Sequence, residues 1–130
     1  AKLVAGGGIR ADGVLEPTLL ADATPDMKVC AKEVFGPVVA IQAYDDLDEA
    51  LRLANDTRYG LQAGIFTADL GDALRAARAL DFGGVTVNEV PTFRADQQPY
   101  GGVRDSGNTR EGPRYAVHEM TEERVIIIQV

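Results

Sequence analysis

The sequence predicts an α/β fold in which a mostly parallel sheet is flanked by helices. Two segments with helical periodicity, residues 46–56 and 69–83, each follow a short apolar segment of strand length. A further strand-like segment, "GVTVNE", comes directly after the second helix. Strands that alternate with amphipathic helices are joined by right-handed crossovers, so we expect them to be parallel and largely buried.

The first twenty residues predict a β-hairpin. Two strand-like segments, "KLVAGG" and "VLEPTLL", flank the turn "GIRADG". The glycine triplet at residues 6–8 also allows a phosphate-binding loop, but no Lys-Ser/Thr pair follows it and no helix opens there. The hairpin is therefore the favoured interpretation, and a polar loop, "ADATPDMK", follows it.

The first of the two longer helices is predicted from its cap and its apolar face. Asp46 and Glu49 have the spacing of a capping box, with Asp46 at the cap. Apolar residues recur at the spacing of one helix face: Leu47, Ala50, Leu51 and Ala54.

The second longer helix has the same apolar spacing. Its predicted buried face consists of Leu70, Ala73, Leu74 and Ala77. Gly83 is the predicted stop, because glycine readily takes the left-handed conformation that ends many helices.

Two further strands, "VVAIQAY" and "GLQAGIFT", precede these two helices. A short helix, "PRYAVHEM", and a final strand, "ERVIIIQV", come at the end of the chain. Between residues 89 and 112 the regular pattern lapses. This long segment contains Phe93, Arg94 and Tyr100 together with paired glycines, which favours a functional loop over a disordered one.

Composition excludes several classes of function. With 130 residues, the chain is expected to form one domain with a core of its own, burying roughly two-thirds of its unfolded surface. The net charge of −7 argues against nucleic acid or an anionic membrane as a partner. The single cysteine forms no internal disulfide, no Cys/His spacing indicates a metal site, and no segment is long enough to span a bilayer. We expect a cytoplasmic protein.

The segment "EVFGPV", Glu33 to Val38, has two interpretations. On its own it is a turn at Gly36-Pro37 with Phe35 as an anchor at the start of a strand. The alternative is a ligand-binding motif, in which the charge of Glu33 and the ring of Phe35 contact a bound molecule. The six residues alone do not separate the two.

Five motifs in order resemble the carboxy-terminal part of the NAD(P)-dependent aldehyde dehydrogenases. They are "AKLVAGGGIRADGVLEPTLL", "EVFGPV", "NDTRYGL", "GGVTVNE" and "PYGGVRDSG" with "REG". The resemblance implies half of a catalytic domain over residues 1–120 and an oligomerisation strand over 121–130, in a protein that forms homo-oligomers. Because the chain starts at Ala1 and not at Met, we expect it to be a piece of a larger protein.

The resemblance implies roles for two residues of the "EVFGPV" segment in binding NAD or NADP. The residue that matches Glu33 accepts hydrogen bonds from the hydroxyls of the nicotinamide ribose, and the one that matches Phe35 packs near the nicotinamide. A carboxylate suits a vicinal diol because it only accepts hydrogen bonds when it is ionised.

The chemistry of the family is covalent, through a cysteine thiohemiacetal and a thioester. The resemblance places the nucleophile loop and the Rossmann half outside these residues, so we expect the chain alone to be inactive. Cys30 comes before the "EVFGPV" segment, which we call the ribose motif, and is interpreted as a buried or incidental thiol. His118 is interpreted as an ordinary histidine of the last helix.

For the substrate, the resemblance indicates a small aldehyde with an anionic tail. Arg94 is the candidate for binding the tail, with Phe93 and Tyr100 as walls of the substrate funnel; a plain solvated Arg94 is the alternative. Glu111 is either part of an accessory proton path to the general base or a first-turn helix residue. Family members usually have glycine where this chain has Thr109, which puts the proton path in doubt.

Two other functions stay open from the sequence. One is a stand-alone α/β binding or regulatory module, for which 130 residues suffice. The other, within the same superfamily, is a reductase that acts on acyl phosphates or thioesters.

Overall fold

The computed structural model describes residues 1–130, which divide into two compact units, Ala1–Arg58 and Tyr59–Val130. Each unit contains its own small sheet. None of the helices has the length and the apolarity that a membrane crossing requires.

The sheet of the first unit confirms the predicted hairpin. It contains β1 (Lys2–Ala5), β2 (Thr18–Ala21) and β3 (Val38–Ile41) in that order. The first two strands are antiparallel and β3 is parallel to β2, with Thr18 opposite Val38. A register shift between Leu3 and Ala5 marks an irregularity in β1.

Two helices accompany this sheet. The four-residue α1 (Lys28–Ala31) was not predicted, and it has no side-chain cap. The predicted capping of α2 (Leu47–Asn55) is confirmed, since Asp46 accepts a hydrogen bond of 2.8 Å from the Glu49 amide. Glu49 in turn accepts from the amide of Asp45 and so satisfies a donor just before the cap.

The second unit begins with the predicted strand–helix–strand arrangement. The strands β4 (Gln62–Ile65) and β5 (Gly84–Val87) are parallel, and the connection between them contains α3 (Leu70–Ala79). Asp69 caps the helix by accepting a hydrogen bond of 2.9 Å from the Asp72 amide. The sequence therefore predicted the parallel pair of β4 and β5. The parallel pair of β2 and β3 was not predicted, and the expectation of one parallel sheet that includes β3, β4 and β5 is wrong, since β3 belongs to a separate sheet.

The predicted buried face of α3 is only partly correct. Ala73 and Ala76 are buried in the helix, whereas the side chains of Leu70 and Leu74 are 73% and 47% exposed. The helix faces the sheet with its small residues, which allow close packing, and leaves its leucines uncovered in this chain. Ala77 is also exposed.

Gly83 is not the helix stop that the sequence predicted. The helix ends at Ala79, and Leu80 after it is already extended. Gly83 instead lies against the backbone of the later loop, where an added Cβ would lie 1.7 Å from the carbonyl oxygen of Gly101. Glycine is required there because the two backbones approach too closely for any side chain.

The end of the chain confirms one predicted element and contradicts another. The helix α4 (Pro113–Glu119) begins with proline at its first turn, as predicted. The predicted final strand is wrong for the single chain, since residues 120–130 form neither strand nor helix. Strand geometry needs a partner for its backbone hydrogen bonds, and nothing in this chain pairs with the segment.

The expectation of a self-contained core is also wrong. The chain has 9997 Å² of accessible surface. A compact protein of this mass exposes about 6,700 Å², and two separate compact units of half the mass expose together roughly 8,000 Å². The buried apolar residues are few and mostly small: Ala23, Leu51, Ala73, Ala76 and Leu80. Much of the apolar surface therefore has no cover within these residues.

Candidate functional site

The "EVFGPV" segment displays its aromatic residue in an unusual way. Phe35 has a positive φ of 45°, a conformation that residues with a side chain rarely adopt. Its ring is 90% exposed, so packing within the chain does not compensate for the strain. Strained residues that no internal contact explains are concentrated at ligand sites.

Glu33, two residues earlier, is equally available. Its side chain is exposed and forms no hydrogen bond or ion pair within the chain. Backbone bonds hold the segment after it: the amide of Thr18 donates to the Pro37 carbonyl, and the amide of Val38 donates to that of Gly36, both at 2.8 Å. The segment is thus fixed to β2 while it presents a free carboxylate and a free ring.

The long loop brings together three of the residues that the resemblance singled out. A terminal nitrogen of Arg94, Nη2, lies 3.0 Å from Oε2 of Glu111. The guanidinium carbon of Arg94 lies 4.8 Å from the centroid of the Tyr100 ring, in cation–π distance. We call these three residues the arginine cluster.

Backbone bonds fix two members of the arginine cluster to each other. The amide of Tyr100 donates to the Glu111 carbonyl at 3.1 Å, and the Glu111 amide donates to the Tyr100 carbonyl at 2.6 Å. Nearby, Arg110 donates from one nitrogen to the carbonyls of Gly102 and Thr109, at 2.7 and 2.9 Å. The loop is therefore ordered by its own contacts, in line with the functional interpretation.

A cavity of about 640 Å³ adjoins the arginine cluster. Arg94 and Glu111 are among its lining residues, which also include Asp96, Thr109, Arg110, Gly112, Pro113, Ala116, Glu119 and Met120. The interpretation of Glu111 as a first-turn helix residue is wrong, because Gly112 is the cap residue of α4, the helix begins at Pro113, and its first turn contains no acidic residue.

Phe93 does not share this cavity. It lines a different one, of about 580 Å³, together with residues of β4 and β5 and with Gln98 and Pro99. Gln62 in the same cavity has a side-chain oxygen that is buried without a hydrogen-bond partner. The sequence analysis did not single out Gln62. The signal that could have identified it is a polar side chain within the otherwise apolar segment "GLQAGIFT".

The sequence predicted no catalytic role for two further residues, Cys30 and His118. Cys30 is partly buried and lines a cavity of about 330 Å³ with residues such as Pro25 and Asn55. His118 is exposed in the last turn of α4. No group of three or more His, Cys, Asp or Glu side chains could hold a metal ion.

Comparison with known proteins identifies the family. The sequence profile described as the aldehyde dehydrogenase family matches residues 1–126. The chain belongs to this family. Its match to solved structures of aldehyde dehydrogenases also confirms the predicted α/β fold class.

Two curated relatives illustrate the similarity. A 3-sulfolactaldehyde dehydrogenase of Priestia megaterium is 52% identical over 95% of this chain and 26% of its own length. A lactaldehyde dehydrogenase of Methanococcus aeolicus is 44% identical over 98% of this chain and 27% of its own length. The chain therefore spans about a quarter of the relatives that it matches.

Two solved structures agree with these relatives. Aldehyde dehydrogenase 21 of Physcomitrella patens, in complex with the reaction product succinate, has a TM-score of 0.92 and 44% identity, over 98% of this chain and 26% of its own. A glyceraldehyde-3-phosphate dehydrogenase of Methanocaldococcus jannaschii, complexed with NADP, has a TM-score of 0.83 and 41% identity, over 92% of this chain and 25% of its own.

Proposed function

We propose that these residues are part of an NAD(P)-dependent aldehyde dehydrogenase that oxidises a small aldehyde with an anionic tail to the carboxylic acid. The observation that carries this proposal is the family match over residues 1–126. The large uncovered apolar surface supports it against a stand-alone binding module, since such a module has to bury its own core. We refer below to the dehydrogenase that contains this chain as the full-length enzyme.

The residues of the "EVFGPV" segment fit the nicotinamide end of a dinucleotide. The free carboxylate of Glu33 accepts hydrogen bonds from the ribose hydroxyls, and the exposed ring of Phe35 restricts the nicotinamide to productive orientations. NAD(P) supplies the oxidising power when it is bound, by accepting the hydrogen and the electron pair of the aldehyde. Positioning that cofactor is the contribution of this part of the chain.

The nucleophile and the dinucleotide-binding half come from other parts of the full-length enzyme. Cys30 lies before the ribose motif, and the one histidine of the chain, His118, is exposed on a helix of the other unit. Cysteine catalysis needs a thiolate with a neighbouring activating group. We therefore propose that the isolated chain has no dehydrogenase activity.

Arg94 is the proposed residue for the anionic tail. Its planar guanidinium suits carboxylate, sulfonate and phosphate oxygens. The names of the relatives support an anionic substrate in three cases: sulfolactaldehyde, a succinate product and glyceraldehyde 3-phosphate. Lactaldehyde, named for the Methanococcus relative, has no such charge. The ring of Tyr100 supports the guanidinium of Arg94, although Tyr100 is not among the residues that line the cavity of about 640 Å³, and Phe93 lines the other cavity.

The cofactor assignment is tested by Glu33→Gln in the full-length enzyme. Losing a charge-assisted acceptor costs about 1.5–3 kcal/mol, so we expect the Michaelis constant for the dinucleotide to rise about tenfold or more. Glu123→Gln is the matched control, because Glu123 is also exposed and unpaired. An unchanged Michaelis constant and an unchanged turnover in Glu33→Gln would contradict the assignment.

A further inference from the structure

We propose that Glu111 is the resident counter-ion of Arg94, and that the anionic tail of the substrate replaces it on the guanidinium. The inference rests on the proposed function, because it requires a substrate with a negative charge. It gives Glu111 a role in selectivity that is separate from any transfer of protons.

The first argument is the weakness of the ion pair. Nη2 of Arg94 and Oε2 of Glu111 lie 3.0 Å apart, but the two side chains are 46% and 60% exposed. Pairs with this exposure contribute little, because water and salt screen the charges. An incoming anion can therefore displace Glu111 without leaving a buried charge unpaired.

The second argument is that Arg94 has support that does not depend on this pair. Its guanidinium lies against the face of the Tyr100 ring, and Tyr100 is held by two backbone hydrogen bonds to Glu111. These bonds use main-chain atoms of Glu111, so its carboxylate can leave Arg94 without moving Tyr100. The guanidinium stays in place for the anion that arrives.

The third argument is space. The cavity of about 640 Å³ adjoins both Arg94 and Glu111, so a small aldehyde can approach the pair. A carboxylate, sulfonate or phosphate tail offers the same kind of oxygen acceptors that Glu111 offers. Tail and side chain therefore compete for the same donors, and a neutral aldehyde has no part in the competition.

The proposal is tested by a double-mutant cycle in the full-length enzyme with the dinucleotide bound. Calorimetry measures the binding of succinate to the unmodified enzyme, to Glu111→Gln, to Arg94→Leu and to the double variant. Butyramide, which has no carboxylate, is the neutral probe. Binding is the readout, so an effect on proton transfer does not enter it.

We expect Glu111→Gln to tighten succinate binding by about two- to fivefold, the range of a half-exposed ion pair. In the Arg94→Leu background the same substitution should have no effect, because the competition is gone. Butyramide binding should not change in either case. Glu119→Gln removes an equal charge from the same cavity and should change succinate binding less than Glu111→Gln.

Two results would overturn the inference. One is succinate binding that stays equal or becomes weaker in Glu111→Gln although Arg94→Leu weakens it. The other is an equal gain with and without Arg94, which would indicate general repulsion by the charge. If Arg94→Leu alone leaves succinate binding unchanged, the proposed class of substrate fails together with the inference, and this outcome is distinct from the first two.

Discussion

The isolated 130-residue chain should associate with itself through its last ten residues. Four consecutive apolar side chains there are 73–87% exposed: Val125, Ile126, Ile127 and Ile128. Residues of this type have high strand propensity, and an uncovered apolar segment with free backbone groups is a template for pairing with another chain.

The expected strength follows from these exposures. Burying a fully exposed Val or Ile stabilises by about 1.5–3 kcal/mol. Because these four side chains are on average about 80% exposed, the four from each of two copies contribute roughly 10–20 kcal/mol. Association costs about 4–15 kcal/mol in lost freedom. The middle of the first range exceeds the middle of the second by roughly 6 kcal/mol. This net free energy of association corresponds to a dissociation constant on the order of tens of micromolar.

Sedimentation velocity over a concentration range of about 5–200 µM measures this directly. We expect a monomer at the low end and a dimer or larger species at the high end. Ile127→Lys and a deletion of residues 121–130 should both abolish the association, since a charge on the edge prevents strand pairing. Val117→Lys adds the same charge at an exposed apolar residue of α4 and should have no effect.

Two results would refute the reasoning. A strictly monomeric unmodified chain at the highest concentration would show that the exposed segment does not drive association. Association that persists after the deletion would place the contact on another apolar surface, of which β1 is the candidate, because all four of its residues are exposed.

Two further predictions concern the full-length enzyme. Arg94→Leu should lower kcat/KM for succinic semialdehyde about tenfold or more and leave kcat/KM for butyraldehyde nearly unchanged. Arg114→Leu is the control. Equal losses for both aldehydes would show that Arg94 does not determine substrate specificity. Gly83→Ala should displace the loop at Gly101, cost about 1–3 kcal/mol and lower activity, as thermal unfolding and kinetics would show. A fully active, equally stable Gly83→Ala would contradict the close approach.

Local signals in the sequence predicted the elements that depend on local interactions. The cap at Asp46 forms the hydrogen bond that its spacing indicated, because capping involves only the next three residues. Asp69 caps α3 in the same way, although that cap was not predicted. The hairpin and the parallel pair of β4 and β5 were also predicted, since hydrophobic pattern and crossover rules act over short stretches of chain.

The predictions that failed concern contacts that the hydrophobic pattern of the sequence does not define. The leucines of α3 have the spacing of a buried face, but the neighbouring alanines pack closer, and spacing cannot choose between two overlapping faces. The final strand needs a partner that these residues do not supply. The expectation of a core followed from chain length, which does not tell how much of a fold the residues represent.

The arginine cluster was predicted only in part: its members were named, but their contacts with one another were not. The resemblance singled out Arg94, Tyr100 and Glu111 separately and gave Glu111 a role in proton transfer or in the helix. Their pairing across an irregular loop could not be predicted, because no periodicity relates residues on either side of such a loop.

The contrast between the two candidate sites explains how a quarter of a dehydrogenase can retain recognisable binding features. In the arginine cluster, Arg94, Tyr100 and Glu111 satisfy one another, so the chain alone fixes their geometry. In the ribose motif, Phe35 keeps a strained conformation and Glu33 has no partner, although this chain gains no contact from either. A feature that costs stability and is not compensated within the chain is typical of a functional site. On this ground the ribose motif is the proposed contact of the cofactor, and the arginine cluster is the proposed contact of the anion that displaces Glu111.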